Sequence, residues 1–512
     1  MGTLSRSITG VATSITAFIG RASRGPVNEP VLIHSFDEFQ RYYGGLSLDS
    51  TISYAVRDFY TNGGRQAIIL RLHRDPGGEA SPAATLAPGG LKLIAANPGE
   101  WGRRLSARVD RKGITPEAAG RCGLNEEDLL NLEVVEMGAD GSLVAHERFL
   151  DLSVRPDAGP RRVDRVLEQE SQLVRVPSRE DGTPDLPGDN PAAPQDAPAF
   201  IDASGGTDSA GLQDEDYEAG FEILDQADLI NLLCIPPDRR DGFTSKAVYQ
   251  KALAFCVRRR AMLIVDPRPE WGENPGDFLS KAEQKLQDDL GLDGVEARNA
   301  ALYFPRVIQL DPLQGNRLEP FAPCGLIAGV MARTDDQRGV WKAPAGAGAG
   351  LNGVQGLEVN LSDRENGALN PLGINCIRSF LPRGPVVWGA RTLRGADRWE
   401  DEYKYVPVRR LALFIEESLY RGTQWVVFEP NGEPLWAQIR LHVSAFMHGL
   451  FQQGAFQGSS PPEAYFVKCD SETTTQDDID RGFVNFLVGF APLKPAEFLI
   501  LRIRQRAGQV GG

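Results

Sequence analysis

Three apolar runs, at 228–235, 261–266 and 300–305, constrain this 512-residue chain more than any other feature. The first ends at Pro236-Pro237 and the third at Pro305, and helical patterns at 245–259 and 277–290 lie between them. A short run that is apolar throughout must be covered on both faces. Strands with that need, alternating with helices, predict a parallel α/β sheet flanked by helices. A further helix begins at 325–331.

Sheets of this kind often hold a ligand beyond the strand C-termini. The sequence has no GxxxxGK[ST], and no GxGxxG follows a strand. Gly346, Gly348 and Gly350 lack a strand–turn–helix setting and read as a loop. Asp202-Ala203-Ser204-Gly205-Gly206 resembles the start of a von Willebrand A metal site, but the second serine is missing. A turn is the simpler reading.

Residues 11–75 form a first β-α-α-β unit. Strands are expected at 13–20, from Pro30 and at 67–72, with Ser35 capping a helix that starts at Phe36 and a second helix at 54–60. Residues 76–90 are rich in Pro, Gly and Ala and read as a linker. From 91 to 154 the texture is β, with a hairpin signal where 132–136 and 144–149 flank Gly138-Ala139-Asp140-Gly141. A short helix and strand follow at 164–175, then a Pro/Asp-rich loop at 177–198.

Near the end, Ile374, Cys376 and Arg378 alternate with Asn375, Ile377 and Ser379 in a short strand. Pro407 suits the first turn of a helix. Val408, Leu411, Ile415 and Leu419 give that helix one buried stripe, and Gly422 closes it. Trp425-Val426-Val427-Phe428 reads as a buried strand. After the Asn431-Gly432 turn, Pro434 opens a second helix with Trp436, Ile439, Val443, Phe446 and Leu450 inward. Phe498, Leu499, Ile500, Leu501, Arg502, Ile503 and Arg504 form a strongly β-prone terminal segment. Such a strand needs a partner. It either joins its own domain's sheet or completes one in a neighbouring molecule.

The balance of 55 Lys and Arg against 69 Asp and Glu argues against a nucleic-acid or anionic-membrane binder. Six cysteines stand singly, with no CxxC, so zinc is not expected. His442 and His448 are not on one helical face. Ser459-Ser460 has no GxSxG setting. No apolar stretch reaches membrane-spanning length, and the polar Thr9, Thr13, Ser14 and Thr16 interrupt the only signal-like segment. No catalytic residue, cofactor or metal is assigned.

The segments GINCIRSFLPRGPVVWGARTL, PVRRLALFIEESLYRGTQWVVFEPNGEPLW, GAFQGSSPPEAYFVKCD and GFAPLKPAEFLILRIRQ occur in this order. Together they resemble the contractile tail sheath family of phage tails, R-type bacteriocins, type VI secretion and extracellular injection systems. SITAFIGRASRGPVNEPVLIHSFDEFQRYYGGL and AVRDFYTNGGRQAIILRL resemble its N-terminal part. The resemblance implies a multidomain α/β (mixed α+β) structural protein without enzymatic activity. Segments 1–75 and 355–512 are expected to form a discontinuous core, with 91–176 as an inserted β-rich outer domain and 200–345 as an inserted α/β domain.

The implied partners are further copies in sixfold rings stacked into a helical sheath, an inner tube protein, and baseplate and terminator or cap proteins. Nucleic-acid binding and membrane insertion are not implied. Assembly is expected in the cytoplasm, as part of a tail-like particle. The implied linker between copies is the terminal strand 498–504. Many sheath proteins begin with a longer arm that helps link subunits. Only residues 1–10 precede the match here, so Arg6, Ser7, Ile8 and Thr9 are the candidate N-terminal linking segment. The alternatives are a von Willebrand A-like metal-dependent adhesion module and a hydrolase with an unrecognised site.

Overall fold

The computed structural model describes residues 7–77, 82–189, 191 and 193–497, the Cys122 side chain excepted. Its centre is an eight-stranded sheet. In spatial order the strands are Gly384–Val387, Ile374–Phe380, Ala300–Phe304, Met262–Val265, Leu232–Cys234, Thr16–Gly20, Ala67–Arg71 and Pro30–Ile33. The inner six run parallel. The two edge strands are antiparallel. Alternate residues face opposite layers: Ala17 and Ile19 enter one core, and Phe18 enters the other. Helices Asp214–Leu224 and Lys246–Arg258 cover the first face. Helices Phe36–Tyr43, Ile52–Thr61 and Cys324–Arg338 cover the second. The cap expected at Ser35 is present, its side chain accepting from the Glu38 N–H.

This topology corrects the expected layering. Thr16–Gly20 lies between Leu232–Cys234 and Ala67–Arg71, with Thr16 opposite both Leu232 and Ala67. Residues 200–345 therefore share one sheet with residues 1–75 and are not a separate inserted layer. The physical reason is that Leu232–Cys234 is buried on both faces and along both edges, and the N-terminal strand supplies one edge partner. Periodicity shows that a strand exists but not which neighbour closes it.

The β-rich unit has a core of its own, from Ala84 to Val174, built on two four-stranded sheets. The predicted hairpin is there, as Leu130–Met137 and Leu143–Leu152. Short strands Ile201–Asp202 and Ser204–Gly205 also belong to it, so its chain extends beyond 91–176. The Thr207 N–H donates to the Pro82 carbonyl at 3.1 Å, which puts the two connections to the large sheet side by side.

A third unit follows the sheet. Helices Val406–Gly422 and Glu433–Gln452 pack around Leu411, Ile415, Leu419, Ile439, Val443 and Met447. The two-stranded antiparallel sheet Tyr465–Lys468 and Leu487–Phe490 packs beside them. The strand expected at 425–428 is instead a 3₁₀ turn at Gln424–Val426 followed by exposed Val427 and Phe428. Phe428 has φ +70° and its ring is wholly solvent-exposed. The segment is β-prone in composition but pairs with no strand among the described residues.

Candidate assembly surface

The N-terminal segment and the strand Leu487–Phe490 meet on this third unit. Arg6 lies outside the described residues. Ser7 and Thr9 are exposed, and Ile8 packs against the helical core. Gly422 makes room for Ile8: a Cβ there would lie 2.6 Å from Ile8 Cγ2. The Val11 N–H donates to Ser418 Oγ at 3.2 Å. Arg410 Nη2 donates to the Thr13 carbonyl at 2.8 Å. The N-terminal segment thus lies along helix Val406–Gly422.

At the other end, Tyr465 pairs with Phe490 and Lys468 with Leu487. The sheet has only these two strands, so each has one side without a strand partner among the described residues. Phe466 and Leu487 are each 54% exposed. An isolated two-stranded sheet is marginal without further strands or a packed helix. Here helix Glu433–Gln452 packs against the sheet, and an edge without a strand partner can accept an added strand.

Beyond Phe490, the Ala491 N–H donates to the Ala464 carbonyl and the Ala491 carbonyl accepts from Gln457. The chain then crosses back to the large sheet, where Glu497 meets Arg391. Arg391 is 1% exposed and donates from Nε to Glu497 Oε1 at 2.7 Å and from Nη2 to Oε2 at 2.6 Å. Tyr405 Oη and Asn370 Nδ2 donate to the same carboxylate at 3.2 and 3.5 Å. Burial alone would raise the Glu497 pKa. The hydrogen bonds and charge of Arg391, helped by Asn370 and Tyr405, hold it below the usual carboxylate range. Burial and the Glu497 charge push Tyr405 up to about 12.

The predicted linking strand, Phe498 to Arg504, lies outside the described residues. The structure brings Ser7, Ile8 and Thr9 to the same unit as the small sheet. The sheet itself was not singled out from sequence. Its signal is Tyr465-Phe466-Val467 two residues after Pro461-Pro462, and Leu487-Val488-Gly489-Phe490 with Pro492 just beyond. Nothing local marks Arg391 and Glu497 as partners 106 residues apart.

Other candidate sites resolve differently. A cleft of about 650 Å³ lies at the C-terminal ends of the parallel strands, lined by Arg21, Arg240, Arg306, Glu273, Glu319 and Glu358 among others. Its walls mix charges, and Arg21 and Arg240 already pair with Asp238 and Asp311. Asp202 Oδ1 accepts from Ser106 Oγ at 2.7 Å within the β-rich unit, away from the large sheet. His442 stands edge-on to Trp425, and His448 lies beside Gln452. Among the described residues no group of three or more His, Cys, Asp or Glu could hold a metal ion. Among them, too, no helix is long and apolar enough to cross a membrane.

Residues 210–393 match the family described as phage tail sheath protein central domain, and residues 400–506 match phage tail sheath C-terminal domain. Together the matches span more than half of the chain. The tail sheath protein of Vibrio phage KVP40 is 28% identical over 187 residues, 36% of this chain and 26% of that protein. That of Enterobacteria phage T4 is 27% identical over 235 residues, 45% of this chain and 33% of that protein. The chain therefore spans a third or less of these relatives' own lengths. The anti-feeding prophage helical sheath in its contracted state shares the fold, with a TM-score of 0.59 and 22% identity over 99% of this chain and 98% of that one. The contracted sheath complex of the extracellular contractile injection system PVC shares it with a TM-score of 0.58 and 21% identity over 99% and 95%.

Proposed function

The chain belongs to the phage tail sheath family, and on that premise we propose that it is a protomer that polymerises around an inner tube and contracts to drive the tube into a target envelope. Its partners are other copies, in sixfold rings stacked helically, together with the tube, baseplate and terminator or cap proteins. It assembles in the cytoplasm into a tail-like particle. The work is mechanical. Protomers rotate as near-rigid bodies from a metastable lattice into a lower-energy packing. The energy is stored at assembly, so the protomer needs no catalytic step and no cofactor.

One observation carries the linkage part of this reading. The small sheet Tyr465–Lys468 and Leu487–Phe490 has no third strand among the described residues, and the N-terminal segment packs on the same unit. Residues 498–504 of one copy add to that sheet in the next. In an extended strand Leu499, Leu501 and Ile503 share one face, and Phe498, Ile500 and Arg502 the other. Backbone bonds join the copies while side chains set the register. Such a link persists while larger interfaces exchange.

Ile500→Pro tests this, because proline removes a ladder donor and fixes the backbone angle. The expected product is a folded, soluble chain that forms no sheath. Normal sheaths from this variant would refute the linkage.

A further inference from the structure

Between Ala491 and Glu497 the chain is a strap held mainly at its ends. Leu493, Lys494, Pro495 and Ala496 make no hydrogen bond among the described residues. Beneath them lie two openings. One of about 480 Å³ is lined by Trp341, Gln453 and Lys494, and one of about 400 Å³ by Trp388, Tyr405 and Pro495. Packing therefore does little to fix the strap, and its far end depends on Glu497.

The Glu497 seat, by contrast, is rigid. The Arg391 N–H donates to Asn375 Oδ1 at 2.6 Å, and Asn375 is itself fully buried between strands of the large sheet. Arg391 Nη1 donates to the carbonyls of Asn370 and Gly395 and to Asp397. The remaining Nε and Nη2 donors are left for Glu497. A planar guanidinium so held presents two parallel N–H groups, the geometry a carboxylate takes bidentately.

We propose that Glu497 and Arg391 form a latch that fixes the point where the C-terminal chain leaves the protomer, and so fixes the reach of the linking strand. The proposal rests on the strand-linkage reading above. With the latch closed, the tether to the neighbouring copy starts at residue 498. With it open, residues 492–497 add about 20 Å of slack at ~3.3 Å per residue. A longer tether lowers the effective concentration of the strand at its acceptor edge. Glu497 is thus a positioning residue that acts through the tether to set how readily a partner copy is captured.

The test compares the full-length protein with Glu497→Ala, Glu497→Gln and Ile500→Pro. Mobility of a nitroxide spin label at Lys494→Cys on the unassembled chain reads the strap, and sedimentation reads the concentration at which polymer first forms. Glu497→Ala should raise that label's mobility while leaving a label at Leu441→Cys, on the exposed face of helix Glu433–Gln452, unchanged. It should also raise the onset concentration several-fold without abolishing assembly. Glu497→Gln should fall between it and wild type. Unchanged label mobility in Glu497→Ala overturns the latch. So does an unchanged onset while Ile500→Pro abolishes assembly, a result that leaves the linkage intact. Normal assembly by Ile500→Pro overturns the linkage itself, and with it the latch's role in assembly.

Discussion

Arg410 Nη2 lies 2.6 Å from Asp335 Oδ2, and the two side chains are only 3% and 4% exposed. The pair joins helix Val406–Gly422 to helix Cys324–Arg338, and Thr13 Oγ1 donates to the same carboxylate at 2.7 Å. It therefore ties the third unit, the large sheet and the N-terminal segment at one point. Burial pushes the Asp335 carboxyl above its usual range, against the pull of Arg410 and Thr13. Desolvation thus outweighs attraction, as is common for buried pairs.

Removing one partner leaves the other charged and buried. Asp335→Asn or Arg410→Ala alone should cost about 3–5 kcal/mol of unfolding free energy. Asp335→Leu combined with Arg410→Met should cost less than either single change. Chemical denaturation of the three variants gives the comparison, and a double variant that costs as much as either single change would contradict it.

Helix Ile52–Thr61 crosses helix Cys324–Arg338 at glycine. A Cβ on Gly325 would lie 2.0 Å from the Ala55 carbonyl oxygen, and one on Gly329 2.6 Å from that of Phe59. Backbone cannot yield as a side-chain tip can. Gly325→Ala should destabilise by about 1–3 kcal/mol or more. Gly367→Ala, in helix Asp363–Leu369 with open space around it, should be neutral or stabilising by up to about 1 kcal/mol. Thermal unfolding of both variants separates the two cases.

The Glu497 contact has a defined pH window. Its folded pKa is depressed, so its contribution is present above the unfolded value of about 4.3 and is lost as pH falls through the folded value. Mobility of a spin label at Lys494→Cys should therefore rise on acidification below about pH 4. In Glu497→Gln that rise should be absent. A rise of the same size in both would assign the effect to other groups.

The β-rich unit should be removable, at boundaries the structure corrects. Replacing 91–154 would strip partners from Ala84–Leu86, Val174–Arg175 and Ile201–Asp202. Replacing 83–206 with a short Gly/Ser bridge joins ends already hydrogen-bonded at Pro82 and Thr207. That variant should fold and still form tubular polymer, as electron microscopy would show. Loss of polymer with the large sheet folded would refute this.

Local pattern was legible wherever a buried stripe or a cap fixed it. The stripe Val408, Leu411, Ile415 and Leu419 faces the core as its spacing dictates, and Ser35 caps its helix. Pairing between distant segments was not. No local feature says that Thr16 lies opposite Leu232, or that Arg391 receives Glu497. Trp425 to Phe428 shows the converse failure, since β-prone composition cannot make a strand without an edge to join. The open-edged sheet at 465–490 was hidden for a related reason. Its strands are short, and the acidic loop between them looks like ordinary surface.

The central claim is that this chain polymerises as a sheath. Electron microscopy of the purified full-length protein across a concentration series tests it most directly. The account predicts hollow cylinders with sixfold end views above a threshold concentration. Particles that stay single protomers at every concentration, with the fold intact by circular dichroism, would contradict it.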